Sequence, residues 1–183
     1  MISTPSNDED PLALERQVCF ALAIASRSVI GLYRPLLEPM GLTHPQYLVM
    51  LALWGRTPLS VKELSGMLAL DPGTLSPLLK RLEAVGYIRR DRAVTDERQL
   101  AVRLTPTGTA LRERALSIPS AVVERLGMRI EDLLLLHGSL TRVIEAAGER
   151  ENTAAGERED TAAGEKAHPV AGEDLVVGEK GQP

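Results

Sequence analysis

Residues 70–104 read LDPGTLSPLLKRLEAVGYIRRDRAVTDERQLAVRL, and the hydrophobic period changes once within them. At 100° per residue, Leu75, Leu78, Leu79, Leu82 and Val85 share one arc, with Gly73, Thr74, Pro77, Lys80 and Arg81 opposite. This pattern predicts a helix ending at Gly86, whose freedom to take a positive φ suits a C-terminal cap. Proline is costly deep in a helix, so the start is expected near Gly73 or Thr74, with Pro77 in the first turn. Thr74, Ser76 and the neighbouring amides then sit at an exposed helix N-terminus, able to meet a phosphate or enter a major groove. A solvated surface helix would look the same. The segment downstream of Gly86 tips the balance: residues 87–91 and 99–104 alternate as two short strands around the polar tip AVTDER. Between Thr74 and Arg103 there are seven bases and four acids, a net charge of +3.

Upstream, SVKE at 60–63 and THPQ at 43–46 have the capping-box form, each ahead of an apolar run. They predict a helix through about Ala69 and an earlier one over YLVMLALW, with LDPG as the turn between the third and fourth helices. Two helices across a short glycine-containing turn make a helix-turn-helix, and the hairpin after it makes a winged helix. Such a wing tracks the DNA backbone or places an arginine in the minor groove. Leu14, Val18, Ala21, Leu22, Ala25, Val29 and Leu32 predict a long first helix from Leu12 to about Tyr33, ended by Pro35 and Pro39. TPTG at 105–108 opens a helix expected to run through about Leu126 with a kink at Pro119, and a last helix is expected from Met128 to Ala147. The expected fold is therefore mainly α with a small β-hairpin wing. Residues 1–11 are expected to form a flexible N-terminus, 43–104 the DNA-binding part, and helices at 12–34 and 106–147 a dimer interface. A two-fold dimer would address a pseudo-palindromic operator.

Bulk properties agree. The 183 residues, 44% hydrophobic and 3% aromatic, suffice for one ordinary core. The net charge of −4 is misleading for a DNA binder, because residues 148–183 hold nine of the 25 acids and only four of the 21 bases. That tail repeats every eight residues, AAGERENT, AAGEREDT, AAGEKAHP and VAGEDLVV, and is read as a disordered acidic extension, too small in side chain to bury a core. No run of 18 apolar residues and no basic leader precede the first helix, so a cytoplasmic protein without a membrane partner is expected. The single cysteine, Cys19, excludes an internal disulfide and fits a reducing compartment. His44, His137, His168 and Cys19 show no metal-ligand spacing, no phosphate-binding glycine loop is visible, and no cofactor is expected.

Several strings together resemble the organic hydroperoxide resistance regulators of the MarR family: QVCFAL at 17–22, YRPLLE at 33–38, PQYLVML at 45–51, GTLSPLLKRLE at 73–83, DER at 96–98 and LTPTG at 104–108. The resemblance spans about residues 12–145 and leaves the tail unexplained. It implies a repressor in which the thiolate of Cys19 attacks an organic hydroperoxide and becomes a sulfenic acid, after which the dimer releases DNA. It also implies that a tyrosine hydroxyl matching Tyr33 holds the reactive sulfur. The second supporting position carries His44 where the family has tyrosine, a third has Ala23, and Pro72 stands where serine is common. In DNA contact the resemblance points to Thr74, Ser76, Lys80 and Arg81, with Asp96 and Arg98 in the wing. Arg81 suits a guanine edge or a phosphate, and Asp96 suits orienting Arg98.

Tyr33 lies 14 residues beyond Cys19, about 21 Å along a helix, so the two meet only if first helices of two subunits cross antiparallel. The sensor would then sit at the subunit interface. Thiols have a reference pKa of about 8.5, and a nearby imidazolium favours the thiolate, so His44 is expected to assist as hydrogen-bond donor or cation; alternatively it only caps the second helix. Without a resolving cysteine, the sulfenic acid must await a low-molecular-weight thiol, cyclise with a backbone nitrogen, or overoxidise. Two other readings stand beside this one. A repressor released by an aromatic acid would leave Cys19 as packing, as lone cysteines usually are. A thiol peroxidase would need a recycling cysteine, and a non-enzyme is expected.

Overall fold

The computed structural model describes residues 10–92 and 100–164; Asp96, Arg98 and the tail beyond Gly164 lie outside the described residues. Two units are distinguished, one through Met128 and one from Arg129 onward. In the first, a 3₁₀ turn at Leu14–Arg16 leads into helix α1 (Val18–Leu37), followed by α2 (His44–Gly55), strand β1 (Leu59–Ser60), α3 (Val61–Leu68), α4 (Pro72–Ala84), β2 (Ile88–Arg92), β3 (Leu100–Leu104), α5 (Pro106–Ala115) and α6 (Ile118–Leu126). The second unit holds α7 (Ile130–Gly164).

Both expected capping boxes form. Gln46 Oε1 accepts from the Thr43 N–H at 2.8 Å, and Glu63 accepts from the Ser60 N–H while Ser60 Oγ accepts from the Glu63 N–H. Helix α1 departs from expectation at both ends. The Gln17 amide donates to the Pro11 carbonyl and folds residues 11–17 into a turn, so the helix starts at Val18. Pro35 lies inside it; one bond lost in the last turn is outweighed by burial of Leu37, 0% exposed.

Helix α4 starts at Pro72, a position that tolerates a missing N–H, because Asp71 caps it by accepting from the Thr74 N–H at 2.9 Å. Pro77 therefore falls in the second turn, not the first. Leu75, Leu79 and Leu82 are buried, each contributing about 2 kcal/mol. Val85 is exposed, contrary to its place in the predicted arc, because the helix stops at Ala84 and the chain reverses at Gly86, φ +78°.

The sheet is antiparallel in the order β1-β3-β2, with Ile88 opposite Leu104 and Arg90 opposite Val102. Strand β1 went unforeseen: two residues are too few to show alternation, yet Leu59 pairs with Val102 and joins the core with Leu53, Leu64 and Ile88. The helix expected to bend at Pro119 is instead two helices broken at Leu116 and Ser117. Pro119 then occupies the first turn of α6, where its ring is tolerated. Helix α7 runs 17 residues past Ala147 into the first repeats, which the sequence pattern assigns to a disordered tail. Their Ala, Glu and Arg residues are strong helix formers, and one glycine in eight weakens the helix without ending it.

Candidate functional site

Two sets of residues stand out, one on α4 and the hairpin, one on α1 and the start of α2. On α4, Thr74, Ser76, Lys80 and Arg81 are all exposed, while the leucines beneath fix the helix to the core. Neither Lys80 nor Arg81 has an ion-pair partner among the described residues. Thr74 is less free: its hydroxyl donates to the Asp71 carboxylate at 2.6 Å, which holds that carboxyl below its ordinary range. Its oxygen can still accept, so Thr74 serves the cap first and a ligand second.

The hairpin is fastened to α4. Arg90 donates to Glu83 through Nε at 2.9 Å and Nη2, and its backbone N–H donates to the other carboxylate oxygen at 3.0 Å. Arg90 keeps Glu83 below the usual carboxylate range. Sequence reading missed this clamp, since a seven-residue spacing across a turn matches no periodic rule. Farther along, Arg89 faces Arg103 across the ladder, and the Asp91 carboxylate lies 3.0 Å from one and 4.0 Å from the other. Those two cations are partly neutralised in place. Lys80 and Arg81 are thus the freer positive charges of this surface.

Cys19 is exposed, as the second residue of α1. Tyr33 lies on the same helix, about 21 Å away at ~1.5 Å per residue, so the two are apart within one chain. Tyr33 and His44 do meet: their rings pack edge to face with centroids 4.9 Å apart, and Tyr33 also approaches Tyr47 at 5.9 Å. Burial holds the His44 imidazole below its ordinary 6.5. Burial therefore favours the neutral form of the ring over the cation.

Beside this ring pair lies an open cleft of about 420 Å³, lined by Ile30, Arg34, Glu38, Gly41, Leu42, Thr43, His44 and Pro45. A second recess of about 290 Å³ has Tyr47, Trp54 and Arg112 in its wall. The first two-thirds of α1 have little cover: Val18 is 69%, Ile24 42% and Ile30 40% exposed. With the turn after it, α1 is long and apolar enough to cross a membrane by length and composition alone, an 18-residue window within Val18–Met40 reaching a mean hydropathy of 1.3. Arg27 and Arg34 interrupt that surface. An apolar helix left bare on most sides is the form expected of a subunit interface.

Comparison with known proteins bears on both sets. A family model described as the transcriptional regulator SarA/Rot matches residues 31–114. The organic hydroperoxide resistance transcriptional regulator of Bacillus subtilis strain 168 is 40% identical over 144 residues, covering 79% of this chain and 98% of that protein. Among solved structures, reduced AbfR of Staphylococcus epidermidis bound to DNA is 31% identical with a TM-score of 0.60, covering 72% of this chain and 92% of that one. Overoxidized AbfR bound to DNA matches with the same identity and TM-score. Apo MarR from E. coli, at 21% identity, TM-score 0.55 and coverage of 69% and 96%, shares the fold.

Proposed function

Because the chain belongs to the family of organic hydroperoxide resistance transcriptional regulators, on a MarR-type winged-helix fold, we propose that it is a homodimeric DNA-binding repressor that senses organic hydroperoxides through Cys19. The observation that carries this is the placement of the sole thiol: exposed, in the first turn of an apolar helix whose N-terminal part has little cover among the described residues. Helix first turns favour negative charge, as a thiolate nucleophile requires. The thiolate attacks the terminal peroxide oxygen, the O–O bond breaks, a sulfenic acid forms, and the alkoxide leaves and takes up a proton as an alcohol.

In an antiparallel crossing of two α1 helices, Cys19 reaches the Tyr33–His44 pair of the partner subunit. That pair offers a phenolic hydroxyl and a neutral imidazole to the changing sulfur. Sulfenic acid brings an extra oxygen into a subunit interface, where a small shift alters the spacing of two reading heads. Ser76, Lys80 and Arg81 meet the operator from the exposed face of α4, with Thr74 at its capped end. Arg98 is a further DNA contact in this proposal, with Asp96 orienting it. One cysteine gives no second thiol in the chain to resolve the sulfenic acid, which supports a regulator reacting once over an enzyme that turns over. Reduction falls to a low-molecular-weight thiol, and the work is done in the bacterial cytoplasm where the DNA is.

The test is binding to the promoter of its own gene at low, fixed salt, with and without a few equivalents of cumene hydroperoxide, for wild type and Cys19→Ser. Loss of binding in the wild type alone, restored by a thiol, is the expected result. Binding that survives peroxide in both proteins would keep the winged helix and make Cys19 a packing residue. Release by an aromatic acid would then be the reading to pursue.

A further inference from the structure

The cleft beside Tyr33 and His44 carries more charge than a pocket for a neutral hydroperoxide needs. Ile30, Leu42 and Pro45 give it an apolar wall, and His44 joins it to the ring pair. Arg34, on the next helical turn after Ile30, also lines it. Its guanidinium is exposed and makes no ion pair or side-chain hydrogen bond among the described residues. Glu38 stands four residues on, the spacing at which helical ion pairs form, and lines the same cleft, yet no salt bridge among the described residues links the two. An unpaired planar cation beside an apolar wall suits an amphipathic anion, since guanidinium binds carboxylate through two parallel hydrogen bonds.

Building on the sensor role of Cys19, we propose that Arg34 determines specificity: it holds the carboxylate of a hydroperoxide whose apolar body lies along the cleft, with the peroxide directed to the Tyr33–His44 end. The chain then prefers acid hydroperoxides to neutral ones of the same shape. Arg34 is a positioning residue and takes no part in O–O cleavage. Glu38 opposes it, and sets a limit to the preference.

The experiment measures the rate of Cys19 oxidation in the full-length protein by linoleic acid hydroperoxide and by its methyl ester, both below their micellar concentrations. The two probes differ only in the anionic end. An exposed charged contact is worth up to about 1 kcal/mol, or roughly fivefold in rate. Wild type should react about fivefold faster with the acid. In Arg34→Met, which keeps the apolar stem, the ratio should fall to about one through loss of the acid rate, with the ester rate and operator binding retained. Glu38→Gln should raise the ratio. Equal rates for acid and ester in the wild type, or a preference that survives Arg34→Met, would overturn the proposal while leaving Cys19 as sensor. If neither compound oxidises Cys19 in protein that binds DNA, the sensor reading falls and this inference with it.

Discussion

Replacing Gly108 by alanine should unfasten the wing from the helix behind it. Gly108 is the third residue of α5, and a methyl group there would lie 1.9 Å from the Tyr87 carbonyl oxygen. Contacts below 3.0 Å are not sustained, so the backbones must separate by at least 1.1 Å. Three hydrogen bonds converge on that point: Thr105 N–H to the Tyr87 carbonyl at 3.1 Å, Gly108 N–H to Thr105 Oγ1 at 3.0 Å, and Trp54 Nε1–H to the Gly108 carbonyl at 2.9 Å. Losing two costs about 2 kcal/mol, and overpacking adds ~1–3 kcal/mol. Alanine's better helix propensity returns about 1 kcal/mol, so the net loss is roughly 2–4 kcal/mol. Urea unfolding at fixed protein concentration, followed by fluorescence of Trp54, the sole tryptophan, reports on the contact directly. The control is Gly66→Ala in α3, where a methyl group meets nothing within 4 Å and should stabilise by about 0.5–1 kcal/mol. A Gly108→Ala protein destabilised by less than about 1 kcal/mol would refute the steric argument.

Three further outcomes are expected. Glu83→Gln weakens the clamp on Arg90 and should reduce the operator affinity of the reduced protein by up to about fivefold at little cost in thermal midpoint; unchanged affinity would mean the pair does not set the wing. His44 titrates below its ordinary value, so the unfolded chain takes up a proton first as pH falls. Stability from this source is complete above pH 6.5 and declines below it toward the lowered folded value, and His44→Gln should flatten that part of a urea-midpoint profile. In the peroxide reaction a neutral donor is replaceable by an amide. His44→Gln should thus keep most of the Cys19 oxidation rate while His44→Ala loses about fivefold, and equal rates in all three would remove His44 from the site.

The parts legible in the sequence are those set by neighbours along the chain. Thr43 with Gln46 and Ser60 with Glu63 announce helix starts three residues wide, and the alternation of 87–91 and 99–104 marks the two hairpin strands. The burial of Leu75, Leu79 and Leu82 follows from the helical period alone. What escaped depends on partners distant in sequence or on competition between terms. Strand β1 exists because Val102 lies opposite Leu59, and Pro35 is tolerated because Leu37 has a core to enter. Asp71 reads in the sequence as part of a turn, although its carboxylate fixes the start of α4 and thereby the place of Pro77. The packing of Tyr33 on His44 is likewise invisible to periodicity. The turn between α1 and α2 brings them together, whereas the resemblance names them one by one.

That turn also suggests how a change at the ring pair reaches the DNA-binding surface. The Met40 carbonyl accepts from the Tyr87 hydroxyl at 2.8 Å, and the Pro39 carbonyl accepts from Arg114 at 2.8 Å. Tyr87 immediately precedes β2, and its backbone N–H donates to the Leu82 carbonyl of α4. One residue therefore links the turn after α1, through its side chain, with the junction of α4 and the hairpin, through its backbone. A sulfenic acid pressing on Tyr33 and His44 would displace residues 38–43, and Tyr87 would carry that displacement onward. Tyr87→Phe keeps the ring and removes only the hydroxyl bond, worth about 1 kcal/mol. If the bond transmits the signal, the reduced variant should bind its operator within about twofold of wild type, while the affinity ratio between reduced and oxidised protein shrinks by roughly fivefold. An equal weakening of both states would make the bond merely structural, and coupling evidence would have to be sought along Arg114 instead.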